Sequence, residues 1–483
     1  MGEETFDTED ERQEWLKCRQ SCVYFIYTYC QIYDATSSMW IPFLLWPGQV
    51  RTLDTIVNNR LVVILKARQL GLTWLCLSFI LWKMLFHPAF TAVVFSRRET
   101  EAIYLLGTQR LRGIYNRLPE FMKVRQFLTA SSHIWQLSNE SVVYGFPTTA
   151  GDSYTAGFAF VDEADLVPDL DSLMNAVKPT IDGGGQMILL SRADKQRPAS
   201  SFKRTYRGAK KGTNGWASVF LPWFERPERD AEWYEAQKAE IKDRTGAIDD
   251  LYQQYPATDD EALRPPEHDR RLPLVHLQRA FSEAEPLDVD EHIAVPGLRV
   301  FELPELTIEY VIGADPAEGN PGSNDSVACV LEKRTGRQVA VLAGQIEPTI
   351  FASHVTVISD FYNNAEIMPE RNNHGHAMIL ALEELHDKSV LLGIDLREGW
   401  QTSSRSKAMM YTVAADILRE NPESTIRDEL TYLQLASVEG STLKAPEGEL
   451  DDHAVAWCLA QCAIDIYGQG AEYGVSPVGG YRG

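Results

Sequence analysis

The sequence predicts an α/β protein made of two successive domains, each a sheet with helices packed against it. Three observations carry that expectation. An apolar, β-branched run at 61–65 enters a loop holding Lys66, Arg68, Gln69 and Gly71, and Thr73 then opens a periodic apolar segment at 75–86, the order strand, loop, helix. A second all-apolar run, 158–161, leads straight into Asp162 and Glu163. Beyond a proline-rich stretch of little periodicity the pattern restarts at 309, and there the strand ends carry Asp315 and Glu370. The first domain is expected to hold a mostly parallel sheet with flanking helices, the second a mixed sheet with helices.

Composition narrows the classes. A chain of 483 residues, 44% hydrophobic and 24% charged, is long enough for two or three domains with sizeable cores. No charge-free apolar run reaches the roughly 18 residues of a membrane span; the nearest, 74–86, is interrupted by Lys83. The acidic start MGEETFDTEDERQEW is unlike a signal peptide. Seven scattered cysteines suit a reduced compartment, and Cys18, Cys22 and Cys30, with no fourth ligand at finger spacing, read as packing residues. A net charge of −22 argues against a general nucleic-acid coat, so any DNA contact has to be local, through stretches such as KRTYRGAKK at 203–211 or through metal ions.

Taken in order, 1–12 reads as a disordered acidic tail and 14–33 as an aromatic-rich helix, both within an N-terminal segment 1–40. An aromatic and proline turn at 42–49 ends in Gln49, whose amide could donate to a ring nitrogen of adenine and accept from its exocyclic amine. The loop Lys66, Ala67, Arg68, Gln69, Leu70, Gly71, Leu72 and Thr73 has the parts of a phosphate-binding P-loop. Glycine permits close backbone approach, amides at a helix N-terminus meet the anion, and a hydroxyl holds Mg²⁺. One part is displaced: Leu72 stands where the common motif has lysine, and Lys66 at the loop's start is the ammonium that would fold back over the phosphates. A strand at 90–96, a helix at 99–117 and strands at 133–137 and 141–146 follow. Asp162 is then placed to hold Mg²⁺ and Glu163 to polarise an attacking water. The strand at 187–191 ends in Ser191 and Arg192, where a γ-phosphate sensor would sit, because ligands of a parallel sheet collect at strand C-termini. This ATPase core spans 41–200, a charged, tryptophan-bearing helical lid 201–260, and a linker 261–305.

In the second domain, 306–467, strands at 309–314, 326–332, 339–343 and 366–368 with a helix at 349–362 suit a ribonuclease H-like layer. Asp451 and Asp452 precede a last helix at 454–467, and a glycine-rich tail, 468–483, reads as flexible. Asp315, Glu370 and the late acids are hard oxygen ligands suited to two Mg²⁺ or Mn²⁺ ions about 4 Å apart, the arrangement that promotes in-line phosphodiester hydrolysis.

These residues resemble the large terminase subunit of tailed bacteriophages over roughly 42–467. The resemblance rests on Gln49, KARQLGLT (66–73), FAFVDEAD (158–165) and QYPATDDEAL (254–263). In the second half it rests on IGADPAEG (312–319), PERNNHG (369–375), GWQTSSRSK (399–407) and DDHAVAWCLA (451–460). It implies that Lys66, Gly71 and Thr73 bind the ATP phosphates and Mg²⁺, that Asp162 binds metal and Glu163 is the catalytic carboxylate. It also implies a nuclease triad of Asp315, Glu370 and one of Asp451 or Asp452, with Asp452 favoured. The implied activity is ATP-driven movement of double-stranded DNA into a preformed capsid, coupled to metal-dependent cutting of concatemers in the host cytoplasm. The implied partners are the portal protein and a small terminase subunit, with a ring formed on the portal and a monomer otherwise. No arginine sits in the loop just before Gly157, where several relatives have one, which leaves Arg97, Arg98, Arg192 and Arg197 as candidates to bridge subunits. Two alternatives stay open: a helicase-like ATPase fused to a repair nuclease, and a packaging protein whose ATP site has decayed.

Overall fold

The run LVVILK lacks the polar alternation of a half-exposed strand, which suits a strand covered on both faces. In the computed structural model of the chain it lies inside a mostly parallel sheet. The structure describes residues 6–148, 156–266, 269–289, 293–320, 324–388, 390–446 and 449–468. In chain order, β1 (Gln31–Asp34) and β2 (Met39–Pro42) pair as an antiparallel hairpin. Next come β3 (Leu61–Lys66), β4 (Thr91–Ser96), β5 (Phe127–Ala130), β6 (Ile134–Leu137), β7 (Val142–Pro147), β8 (Phe158–Asp162), β9 (Gln186–Ser191) and β10 (Ala217–Leu221). They form one sheet in the order β10-β3-β9-β8-β4-β7-β6-β5, parallel from β10 to β7 and antiparallel beyond. Alternate residues of β3 face opposite layers. Val62 and Ile64 join the core that holds the helix Leu72–Phe86, while Val63 and Leu65 meet Phe202 and Tyr206. This sheet belongs to a unit of Met1–Lys195 and Ser200–Arg264.

A second unit, Gln196–Ala199 and Pro265–Gly483, is built on β11 (Leu298–Val300), β12 (Tyr310–Asp315), β13 (Ser326–Glu332), β14 (Gln338–Gly344) and β15 (Glu366–Pro369). The order is β11-β14-β13-β12-β15, with β12 and β15 parallel and the other neighbours antiparallel. The last helix, Asp452–Gly468, lies directly on this sheet because Gly313 has no side chain. A Cβ there would sit 2.1 Å from the Ala456 carbonyl oxygen and 2.4 Å from the Ala460 nitrogen. Trp457, Cys458 and Leu459 of that helix are fully buried, worth roughly 1.5–3 kcal/mol for each large apolar side chain.

Several expectations change. The helix expected at 14–33 is two helices, Glu9–Gln20 and Cys22–Tyr29, because the Ser21 hydroxyl caps the second by accepting from the Tyr24 amide, and 31–34 is the strand β1. The first helix starts inside the expected tail, capped by Thr8 and Glu11. The helix expected at 99–117 breaks at Gly107 into Glu99–Leu106 and Leu111–Asn116. The lid stretch supplies β10, which extends the main sheet beside β3, and the expected linker supplies the helix Leu274–Ala280 and β11. Tail residues 469–483 lie outside the described residues. Cys18, Cys22 and Cys30 are buried, unbridged core residues, as read. Among the described residues no helix is long and apolar enough to cross a membrane.

Candidate functional site

The C-terminal ends of β3, β8, β4 and β9 border a cavity of about 1010 Å³ in the first unit. Gln69 (φ 64°) and Gly71 (φ 71°) both take left-handed backbone, which turns the loop sharply before Leu72 starts the helix. Leu72 borders the cavity, and its side chain is buried in the apolar core. Lys66, the last residue of β3, lines the cavity as well, with Nζ 2.9 Å from Glu163 Oε1. The Thr73 hydroxyl donates to Asp162 Oδ1 at 3.0 Å, so the loop's hydroxyl and the β8 carboxylate already adjoin. Glu163 is left-handed (φ 52°), a costly conformation for a side-chain-bearing residue, and its other oxygen faces the end of β9. There the Ser191 hydroxyl and the Arg192 amide each donate to Oε2 at 3.4 Å, with Arg192 Nε at 3.8 Å. The expected sensor position thus touches Glu163.

The two acids are shifted in opposite directions. Burial and then the charge of Glu163 push Asp162 up to about 7. Burial acts to raise Glu163 as well, but Lys66 and then Arg192 outweigh it and hold that carboxyl below its ordinary value.

Not every residue of the loop faces the cavity. Ala67 and Arg68, expected among the phosphate-binding residues, do not line it, and their amides donate to the carbonyls of Leu221 and Gln254, which anchors the loop. Arg229, stacked on Trp233 and Tyr255, donates to the Arg68 carbonyl and to Gln69 Oε1 and clamps the loop from outside. Gln49 lines the cavity, yet it is buried and both ends of its amide are engaged. It accepts from the Trp46 amide at 2.8 Å and donates to the Leu70 carbonyl at 2.9 Å, so here it braces the loop rather than offering an edge to a base. Of the four arginines named above, Arg97 and Arg192 line this cavity, while Arg197 pairs with Glu449 in the second unit. The basic stretch 203–211 is largely neutralised in place: Lys203 with Asp165, Arg204 with Asp171, and Lys210 with Asp259.

In the second unit Asp315 ends β12 and Glu370 follows β15, its neighbour, with the Glu370 amide donating to the Ala314 carbonyl at 2.7 Å. Asp315, Glu370, Asp451 and Asp452 line one cavity of about 430 Å³ together with Asp325, Glu318, Asn324 and Lys407. Asp315 stands well above the ordinary carboxylate range, through burial first and then the charge of Glu370 beside it, with which it shares a hydrogen bond. Asp452 is pushed up to about 7 by burial and by Asp451 and Asp325. The adjacent acids of the last helix are not equivalent. Asp451 pairs with Lys407 at 3.0 Å, whereas Asp452 has no cationic partner among the described residues and accepts from Asn324 at 3.3 Å and from the Asp325 backbone. A buried carboxylate among other acids offers the hard oxygen donors that a divalent cation takes. Among the described residues no three acids or histidines are closed into a metal cage, so the acids share a cavity without converging on one point.

The described chain covers the same architecture as one solved structure along nearly its full length. The HK97 bacteriophage large terminase matches at a TM-score of 0.52 and 10% identity, over 92% of this chain and 99% of that one. The chain has the fold of a bacteriophage large terminase. Partial matches are the large terminase nuclease from thermophilic phage G20c with bound magnesium (TM-score 0.33, 18% identity, 41% of this chain and 98% of that one) and the Thermus phage P74-26 large terminase ATPase domain (0.35, 18%, 44% and 92%). No family model matches the sequence.

Sequence reasoning missed Asp325, Lys407 and Arg110 as residues lining these terminase-like cavities. Asp325 was findable, since pairing Asp315 with Val327 in the antiparallel register sets residue 325 just beyond the end of β12. Lys407 lay within a quoted motif but carried no role until the fold set it against Asp451. Arg110 was hidden inside the helix expected at 99–117.

Proposed function

We propose that this chain is a large terminase subunit: an ATPase that drives double-stranded DNA into a preformed capsid, coupled to a metal-dependent endonuclease that cuts concatemeric DNA. The observation that carries the reading is the presence in one chain of two cavities with different donor sets. One joins Lys66, Thr73, Asp162 and Glu163; the other joins Asp315, Glu370 and Asp452. In the first, the amides of the turn Gln69–Gly71 and the helix start would cradle phosphates, Lys66 would move from Glu163 onto them, and Glu163 would then orient and accept a proton from water. Thr73 and Asp162 fit Mg²⁺, and Asp315, Glu370 and Asp452 fit Mg²⁺ or Mn²⁺. Such ions supply charge neutralisation at the phosphates and a lowered pKa for bound water. Double-stranded DNA, a portal ring and a small DNA-recognising subunit are the partners of this reading, with assembly in the host cytoplasm.

The test is ATP turnover by the full chain with and without duplex DNA and portal. Wild type hydrolyses ATP and DNA stimulates it, while Glu163→Ala loses about 100-fold or more. A wild-type chain that hydrolyses no ATP under any of these conditions contradicts the motor assignment.

A further inference from the structure

We infer that Arg110 contacts the β- and γ-phosphates of the bound nucleotide from within the same chain. The inference rests on the nucleotide reading of the first cavity. Arg110 reaches that cavity because the expected helix stops at Gly107, and the chain re-enters helix only at Leu111. Its guanidinium is stacked on two rings: Cζ lies 4.3 Å from the Trp74 centroid and 4.6 Å from that of Tyr104. Trp74 directly follows Thr73, so the stacking ties the arginine to the phosphate-loop helix. Trp74 is braced in turn by Trp40 at 5.7 Å, itself covered by Arg117 at 3.7 Å. A stacked guanidinium has its faces covered and keeps its N–H edge for an in-plane acceptor, the geometry that suits phosphate oxygens.

The charges of the cavity show what is missing. Lys66 and Arg192 meet Glu163, and Arg226 meets Glu228 at 2.8 Å. Arg110, half-buried, has no ion pair among the described residues; its guanidinium donates to the Gln109 carbonyl at 3.3 Å and to the Tyr104 side chain, both of them uncharged acceptors. Arg110 and Asp162 feel each other's charge, which sets the guanidinium at the metal-binding end of the cavity, where the terminal phosphates would lie. Arg97 also lines the cavity, but it is solvent-exposed and no ring holds it. A half-buried cation held rigidly beside a phosphate loop, with no counter-ion of its own, calls for an anionic ligand.

The test compares wild type, Arg110→Gln and Arg110→Lys in the isolated full-length chain. Fluorescent ATPγS, ADP and AMP analogues are titrated with Mg²⁺, and ATP turnover is measured alongside. Gln keeps a planar, neutral group between the rings, so a packing role is preserved. Arg110→Gln is expected to weaken ATPγS at least about tenfold, ADP less and AMP hardly at all, and to lower kcat about 100-fold; Arg110→Lys recovers part of both. If Arg110→Gln binds ATPγS and turns over ATP as wild type does, or lowers all three affinities equally, the inference is wrong while the nucleotide reading stands. If wild type binds no nucleotide, both fall.

Discussion

The two cavities differ in charge balance. Around Asp162 and Glu163 stand Lys66, Arg192 and Arg110, and buried Lys66 closes on half-buried Glu163. Around Asp315, Glu370, Asp452 and Asp325 the one Lys or Arg side chain among the lining residues is Lys407, and it is held by Asp451. A cavity whose acids are matched by cations suits a ligand that brings both signs, such as a triphosphate with its metal. A cavity of unmatched acids suits cations alone. The pattern follows from the rule that a buried charge without a partner is costly, so the missing partner identifies the ligand's sign.

The largest expected effect separates the two sites by mutation. Lys66→Ala is expected to lower ATP turnover about 1000-fold and leave Mn²⁺-dependent plasmid cutting intact, because one ammonium both grips phosphate and holds Glu163. Asp315→Asn is expected to do the reverse, abolishing cutting while sparing ATPase activity. Parallel assays on both variants check this, and loss of both activities in either variant would break the separation.

A smaller effect concerns the frame of the second unit. Asp428 caps the helix Glu429–Ser437 by accepting from the Thr431 amide at 2.8 Å and lies 2.9 Å from Arg299 and 3.2 Å from His453. Burial acts to raise this carboxyl, but His453, Arg299 and Thr431 hold it well below the usual carboxylate range. A depressed folded-state pKa contributes stability that is fully present above the unfolded value near 4 and is lost as pH falls below it. Asp428→Asn is therefore expected to cost about 1–3 kcal/mol at pH 7, with the gap to wild type narrowing as pH drops from 4 toward 2. Urea unfolding at several pH values reads it, and a gap that stays constant with pH would refute the electrostatic account.

The smallest effect sharpens the comparison at the nucleotide end. Because the Gln49 amide is engaged with Trp46 and Leu70, Gln49→Ala is expected to loosen the phosphate loop and raise KM for ATP and GTP alike, by less than about tenfold. A loss confined to ATP would restore Gln49 as the reader of the base.

These outcomes bear on what was legible in the sequence. Buried parallel strands were plain because both faces are apolar, so β3, β8 and β9 and the acids at their ends could be placed. The interrupted helices were not, since Ser21 and Gly107 break an apolar period that continues on either side. The strand β10 was hidden in a charged stretch because it is an edge strand whose first four residues are all half-buried, with no alternation to read. Which of two adjacent aspartates is unpaired depends on Lys407 and Asn324, far off in sequence, and only the fold brings them together. That Lys66 at the front of the loop meets Glu163 could not be read from spacing, because the two are 97 residues apart and only the fold brings them together.

The central claim is that the charge-balanced cavity grips a triphosphate and the acidic one grips divalent ions. A crystal structure of the full chain with a non-hydrolysable ATP analogue and Mn²⁺, with manganese located by its anomalous signal, tests it most directly. The account expects Lys66 Nζ on the phosphate oxygens, one Mn²⁺ at Thr73 and Asp162, and manganese held jointly by Asp315, Glu370 and Asp452. A Lys66 amine turned away from the phosphates, with no manganese among those three acids, would contradict it.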